Sequence, residues 1–324
     1  MRQLFRSASI VCTACVAVLS SAQGAVSPAP APAAAAAAPA AAAAAASAAA
    51  ERAAIEQWQA KRLENLTSDS GWLTLAGLYW LNDGENTFGS AKSNTVRLDN
   101  AAVAAKAGSF VRTGKEVRFV ARPDGGITQD GQPVTTVDLV SDTAGEPTVL
   151  ESGPVSFFLI ERGGKYGVRV RDKNSPHRTH FAGLQYFPIR ADWAIDARFE
   201  PYEPHRHIRI TNILGMEEDM DSPGALVFTQ GGHEWRLDTI LETPDDQELF
   251  VMFADGTSGK ETYGAGRFMY LPLPRDGTVR LDFNKAYNPP CAFNDFATCP
   301  LPPFQNRLAL RVDAGEKSYA GHSK

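Results

Sequence analysis

Residues 155–171 read VSFFLIERGGKYGVRVR. The run Val155–Glu161 is apolar and rich in the aromatic and β-branched side chains that suit a pleated, half-buried surface. Gly163-Gly164 supplies a turn, and Tyr166–Arg171 continues in a second short strand. Strand, glycine turn, strand is the rhythm of this part of the chain, and it decides the fold class.

The rhythm extends upstream. Further strands are predicted at Val96–Leu98, Ser109–Val111, Glu116–Ala121 and Thr135–Val140, after an apolar run Trp72–Leu81 closed by Asn82-Asp83-Gly84. Pro123-Asp124-Gly125-Gly126 and Asp130-Gly131 separate them, and short strands with such turns argue a β-sandwich. The Phe88-Gly89-Ser90 turn and the run Gln129–Pro133 resemble those of a forkhead-associated domain. That family's phosphothreonine pocket needs an arginine where Ser90 stands and a histidine, and none lies between Gly89 and Asp172. The resemblance therefore implies a sandwich and argues against phosphopeptide recognition.

Before the sandwich, Ile55, Trp58, Arg62 and Leu66 recur at spacings of three and four, which predicts a helix over Ala50–Leu66 with Ser47 as its N-cap. Val26–Ala50 is nearly all Ala and Pro, too poor in bulky side chains to form a core, and reads as a tether, extended over Pro28–Pro39 and open to helix over Ala40–Ala50, since Ala has the best helix propensity. Residues 1–24 carry Arg2 and Arg6, a short apolar run and small residues at the end, the pattern of an export signal. The expected location is periplasmic or secreted. A lipid anchor at Cys15, behind Thr13-Ala14, is the alternative.

Beyond the Asp172–Pro188 connection the chain is again β. Strands are predicted at Asp192–Phe199, His207–Ile213, Ala225–Thr229, Glu234–Leu241 and Glu248–Phe253, with no helix of useful length after residue 66. The expected organisation is all-β: signal (1–24), linker (25–50), helix plus N-terminal sandwich (51–172), and a C-terminal antiparallel sheet or partly closed barrel (173–324). The chain is 44% apolar and 21% charged, an ordinary globular balance, and its formal net charge of −5 speaks against a nucleic-acid partner. No internal apolar run is long enough to span a membrane. His177 with His180, and His205 with His207 and His233, lack the cysteine-containing spacing of structural metal sites, so no metal or other cofactor is expected.

The densest stretch chemically is Glu261–Arg307. Gly264 and Gly266 permit unusual backbone or a close approach, and Arg267 is a planar cation with Glu261 and Asp282 as candidate partners. Asp282 and Asn284 share a face if extended, and prolines stiffen the loops around Asn288 and Pro300–Pro303. Two readings stay open: a fold-locking knot, or a binding cleft formed by Glu261, Tyr263, Arg267, Asp282, Asn284 and Asn288. The runs GWLTLAGLYWLNDGENTFGS from Gly71, TYGAGR from Thr262, and DFNKAYNPPCAF with CPLPP and NRL resemble the domain-of-unknown-function 1684 family of bacteria and archaea, over Ile55–Lys317. Membership in that family implies no particular activity.

Two functions of different class remain. The first is non-catalytic binding of a small molecule, glycan, peptide or envelope component at the C-terminal domain. The second is hydrolysis, with Glu261 and Asp282 as acid and base and Arg267 stabilising negative charge. The chain has no Gly-x-Ser-x-Gly elbow, no His-Glu-x-x-His and no P-loop, which favours binding. Cys291 and Cys299 are the only cysteines after residue 24; in an oxidising compartment this close pair predicts a disulfide.

Overall fold

The helix α1 runs from Ala34 to Thr67 in the computed structural model of the chain, which describes residues 34–321. Residues 1–33, which hold the expected export signal, the alternative lipid-anchor position Cys15 and the start of the expected tether, lie outside the described residues. The helix ends one residue past the expected end but begins well before it. The alanine run carries it backward because Ala has the best helix propensity, so Ser47 is an interior residue and not the cap, and Pro39 is helical and not extended. The expected face holds: Ile55 and Leu66 are buried, Trp58 and Arg62 partly so.

From Ala48 onward the chain is one compact unit. Its first half is a sandwich of two sheets. The strands are β1 (Leu75–Trp80), β2 (Gly84–Gly89), β3 (Val96–Arg97), β4 (Gly108–Thr113), β5 (Glu116–Ala121) and β6 (Thr128–Gln129), then β7 (Gln132–Pro133), β8 (Thr136–Asp138), β9 (Val149–Ser152), β10 (Val155–Arg162) and β11 (Lys165–Asp172). One sheet has the order β1-β11-β10-β9-β6-β7, the other β3-β2-β4-β5-β8. Phe88, Phe110, Phe119 and Phe157 meet between them, with centroids 4.8–6.1 Å apart and mostly tilted or edge-on, the geometry aromatic quadrupoles prefer.

The pleat of β10 and β11 gives their sheet two different faces. Val168 and Val170 face the sandwich core, so Arg169 and Arg171 must face away from it. The outer face is not left to solvent, because the other half of the molecule covers it.

After one helical turn, α2 (Pro176–Thr179), the second half contributes β12 (Ala194–Thr211), β13 (Glu217–Gln230), β14 (His233–Asp238), β15 (Glu248–Phe253), β16 (Arg267–Pro272) and β17 (Thr278–Asp282). They form a four-stranded sheet, β14-β13-β12-β17, and the hairpin β15-β16, and no sheet of the described residues closes into a barrel. Two expected strands, Asp192–Phe199 and His207–Ile213, are one strand of 18 residues. Its ladder to β13 lapses between Pro201 and Arg206, because Pro201 and Pro204 have no N–H to donate, yet the chain stays extended.

The hairpin β15-β16 is buried on both sides. Leu249, Val251 and Phe253 enter the core beneath the four-stranded sheet, whereas Phe250 and Met252 enter a separate core with Leu75, Ile210, Phe268 and Tyr287. That second core joins the hairpin to the outer face of the sandwich. The unbroken apolar run Leu249–Phe253 is the sequence signature of a strand covered on both faces.

Candidate functional site

The stretch Glu261–Arg307 folds into a latch. Arg267 is completely buried at the start of β16 and pairs with Asp255, Nη2 to Oδ1 at 3.3 Å, and with neither of its expected partners. Its guanidinium also donates to the carbonyls of Ala314 and Val312, and Asp255 in turn accepts the Val312 N–H at 2.7 Å. Burial pulls the Arg267 pKa down, opposed by the charge of Asp255. The pair pins the C-terminal segment across the end of the hairpin, and the buried cation persists because its counter-charge and its carbonyl acceptors are local, with only Nε left without a partner.

The other predicted site residues are dispersed around this latch. Glu261 is a surface group, bonded to Arg311 at 2.5 Å, which lowers its carboxyl pKa. Asp282 caps the 3-10 turn after β17, accepting from the N–H and Nδ2 of Asn284, and Asn284 exchanges two bonds with the backbone of Arg190. Asn288 donates its N–H to Glu316 and its Nδ2 to the Lys317 carbonyl. Tyr263 donates to the Cys291 carbonyl at 2.9 Å. Glu261, Asp282 and Arg267 thus each have different partners and are not assembled as an acid, a base and an anion stabiliser. The expected Arg267 contact with Glu261 or Asp282 is replaced by Asp255, because Asp255 lies on the turn directly after β15, opposite the start of β16.

Cys291 and Cys299 are both buried and adjacent: the Cys291 N–H donates to Cys299 Sγ at 3.2 Å. The expected S–S bond does not join them in this structure; they pack as thiols. Burial, then the hydrogen bond with Cys291, pushes the Cys299 pKa well up.

A cleft of about 560 Å³ lies between the outer face of β10-β11 and the second half. One wall carries Arg162, Arg169 and Arg171; the other carries Phe250, Phe268, Tyr270 and Tyr287. Phe250 stacks on Tyr270 at 5.0 Å and 27°, and Tyr270 on Tyr287 at 6.5 Å and 20°, a row of rings along the cleft. The floor is the segment Ala297–Pro300, with Cys299 in it.

The three arginines differ in their partners. Arg162 is neutralised by Asp142 through two bonds, at 2.7 and 2.9 Å. Arg169 has no carboxylate within ion-pair distance among the described residues; its Nη2 donates to Thr298 Oγ1 at 3.0 Å, and its Nε is buried without a partner. Burial first, and the charge of Arg162 second, bring its pKa down to about 10. Arg171 lies over the Phe158 ring at 4.9 Å, also without a carboxylate, and its Nε is likewise unpartnered. Among the described residues no group of three or more His, Cys, Asp or Glu is placed to hold a metal ion.

The family described as "Protein of unknown function (DUF1684)" matches residues 179–317. An uncharacterised protein of Haloarcula marismortui, known from a solution NMR structure, is 33% identical, with 45% of this chain and 81% of that one covered and a TM-score of 0.38. This chain belongs to the DUF1684 family. The DUF1684 match starts at residue 179, so it does not reach the motif at Gly71 that carries the resemblance toward Ile55. No curated protein shows significant similarity to the chain. Nothing in these matches ties the first half to the forkhead-associated family. Of the two cleft walls, the DUF1684 region supplies the aromatic one, and the sandwich outside it supplies the arginines.

Sequence patterning alone does not single out Arg169, Arg171, Tyr270 or Tyr287. A signal for the arginines is nevertheless present in VRVR: two cations at i and i+2, on the face opposite two core valines, in a strand flanked by apolar strands. Such a face is expected to be apolar or paired, and it is neither.

Proposed function

We propose that this is an exported, non-catalytic binding protein whose small-molecule ligand enters the cleft between the sandwich and the C-terminal half. The observation that carries the reading is the cleft itself: a concavity of ligand size, about 560 Å³, with an aromatic wall facing unpaired polar groups. Mostly apolar walls with a few convergent polar groups are how small-molecule sites gain both affinity and orientation. Export rests on the character of residues 1–24 and the Ala/Pro tether after them. The hydrolytic alternative gains no support from the positions of Glu261, Asp282 and Arg267, which bond to separate partners.

The test is a thermal-shift titration of the full chain with a panel of small carboxylates, monosaccharides and short peptides, repeated on Met216→Trp. Met216 lines the cleft and is partly exposed, so the larger ring narrows the entrance without entering the core. Occupancy of the native state raises the midpoint with ligand concentration. A compound that does so for the parent chain and not for Met216→Trp supports the reading. A panel without effect, or a shift unchanged by the variant, removes it.

A further inference from the structure

Resting on that reading, we infer that the ligand carries a single carboxylate, received by Arg169 and Arg171, joined to a flat apolar body that lies along Phe250, Tyr270 and Tyr287.

Removing a guanidinium from water is unfavourable unless a counter-charge and hydrogen-bond acceptors replace the water. Arg267 and Arg162 obey this rule, each with its own aspartate. Arg169 and Arg171 do not: neither has a carboxylate within ion-pair distance among the described residues, and the unpartnered buried Nε–H that each shares with Arg267 is here not accompanied by a counter-charge. Both line the same cleft, two residues apart on one face of β11. Buried unsatisfied donors call for an explanation, and here the donors border an open cavity, so a bound acceptor completes them. A carboxylate is the natural group, because its two oxygens match the fork of a guanidinium.

The valence is set by the rest of the lining. Asp142 is consumed by Arg162, but Glu217 and Glu218 are exposed at the mouth, and Glu242 is held there by the Tyr270 hydroxyl at 2.6 Å. A dianion such as a phosphate ester meets these carboxylates on entry, whereas a monoanion with an apolar body meets less repulsion and gains the ring wall. Thr298, already bonded to Arg169, fixes the guanidinium in place before the ligand arrives.

The probes are benzoate, its neutral isostere benzamide, and phenyl phosphate, titrated into the full chain with heat or protein NMR shifts as the readout. The expected result is that benzoate binds at least about tenfold tighter than benzamide, the size of one charge-assisted hydrogen-bonded contact, and tighter than phenyl phosphate. Arg169→Gln should weaken benzoate far more than benzamide and so remove that preference, and Arg169→Lys should restore part of it. Should Arg169→Gln fail to fold, Arg171→Gln and the parent chain's own preference still decide. If benzamide and benzoate bind equally in the cleft, the carboxylate inference is wrong and the cleft reading survives. If phenyl phosphate binds best, the monoanion inference is wrong. If none of the three perturbs residues 169–171 or 297–300, both readings fall.

Discussion

Arg267 and Asp255 form an ion pair with neither side chain exposed, Nη2 to Oδ1 at 3.3 Å, at the point where the C-terminal segment crosses the β15-β16 hairpin. Removing the cation strands a buried carboxylate whose remaining partners are the N–H groups of Val312 and Thr257 and the hydroxyls of Thr257 and Ser258, none of them charged. Arg267→Ala should therefore destabilise the protein by about 3–5 kcal/mol, the range for breaking a buried pair. Glu261→Ala, which removes the exposed partner of Arg311, should leave stability nearly unchanged, because solvent screens the pair. Urea unfolding of both variants checks the contrast. Similar midpoints for the two would mean that the latch is not where stability resides.

Gly266 precedes that arginine and has φ +96°, a conformation side chains resist, and a Cβ there would lie 2.6 Å from the Phe253 carbonyl oxygen. Gly264 has neither problem; its nearest neighbour is a glycine α-carbon at 3.6 Å. Gly266→Ala should cost about 1–3 kcal/mol, as for a residue forced into a rare backbone region, and the clash adds to it. Gly264→Ala should be close to neutral. Thermal midpoints measured side by side distinguish them; equal losses would show that the two glycines serve the same purpose.

Strands are legible in the sequence where their pattern is unambiguous. Glu116–Ala121 and Glu248–Phe253 match to the residue, since alternation or an unbroken apolar run marks them directly. β12 reads from sequence as two strands because proline looks like a break; here Pro201 and Pro204 remove donors where four residues of β12 stand opposite the single Pro223 of β13, and the ladder resumes at Arg206 without ending the strand. The candidate site is less legible. Clustering of polar residues between Glu261 and Arg307 does identify a special region, but Glu261, Arg267, Asp282, Asn284 and Asn288 bond to neighbouring loops and the C-terminal segment and do not line the cleft, which takes Tyr270, Tyr287 and Ala297–Pro300 from the same stretch. Partner choice there depends on Asp255, twelve residues upstream of Arg267, and on Glu316, which only the crossing of the chain brings near. The cleft is assembled from residues more than a hundred positions apart, so no local pattern announces it.

Arg62 of α1 is the pin between the helix and that crossing. Its Nε bonds Glu316 Oε1 at 3.0 Å, its Nη2 bonds the Asn288 carbonyl, and its guanidinium lies 4.9 Å from the Trp72 ring and 4.7 Å from the Tyr287 ring. Glu316 is fully buried, and its other oxygen accepts from the Asn288 N–H. Arg62→Ala should cost about 3 kcal/mol or more through the stranded carboxylate and the lost cation–ring contacts. Arg62→Ala with Glu316→Gln should recover a good part of that loss, because a neutral amide tolerates burial better than an unpaired charge. A double-mutant cycle by urea unfolding measures the coupling. A double variant as unstable as the sum of the singles would show the two residues to be independent.

Cys291 and Cys299 touch in the folded chain, N–H to Sγ at 3.2 Å, at the floor of the cleft. Both are buried, and the Cys299 thiol is pushed well above its usual pKa, so at neutral pH almost none of it is the reactive thiolate. The folded protein should therefore react slowly with iodoacetamide, and unfolding in urea should release both thiols to rapid alkylation. Oxidised glutathione tests the pair itself: two thiols give up two protons and two electrons to form one S–S bond, and one glutathione disulfide is reduced to two glutathione thiols. The loop between the cysteines is short, so closure should add roughly 2–3 kcal/mol by the chain-entropy account, less any strain in the floor. Oxidation at raised pH, where the thiolate fraction grows, should proceed faster than at neutral pH, and peptide mapping in denaturant should show Cys291 and Cys299 both losing their free thiols. Both still alkylated after prolonged treatment would mean that the buried pair is held too firmly to bridge, and would leave the sulfur of Cys299 as a permanent part of the cleft floor.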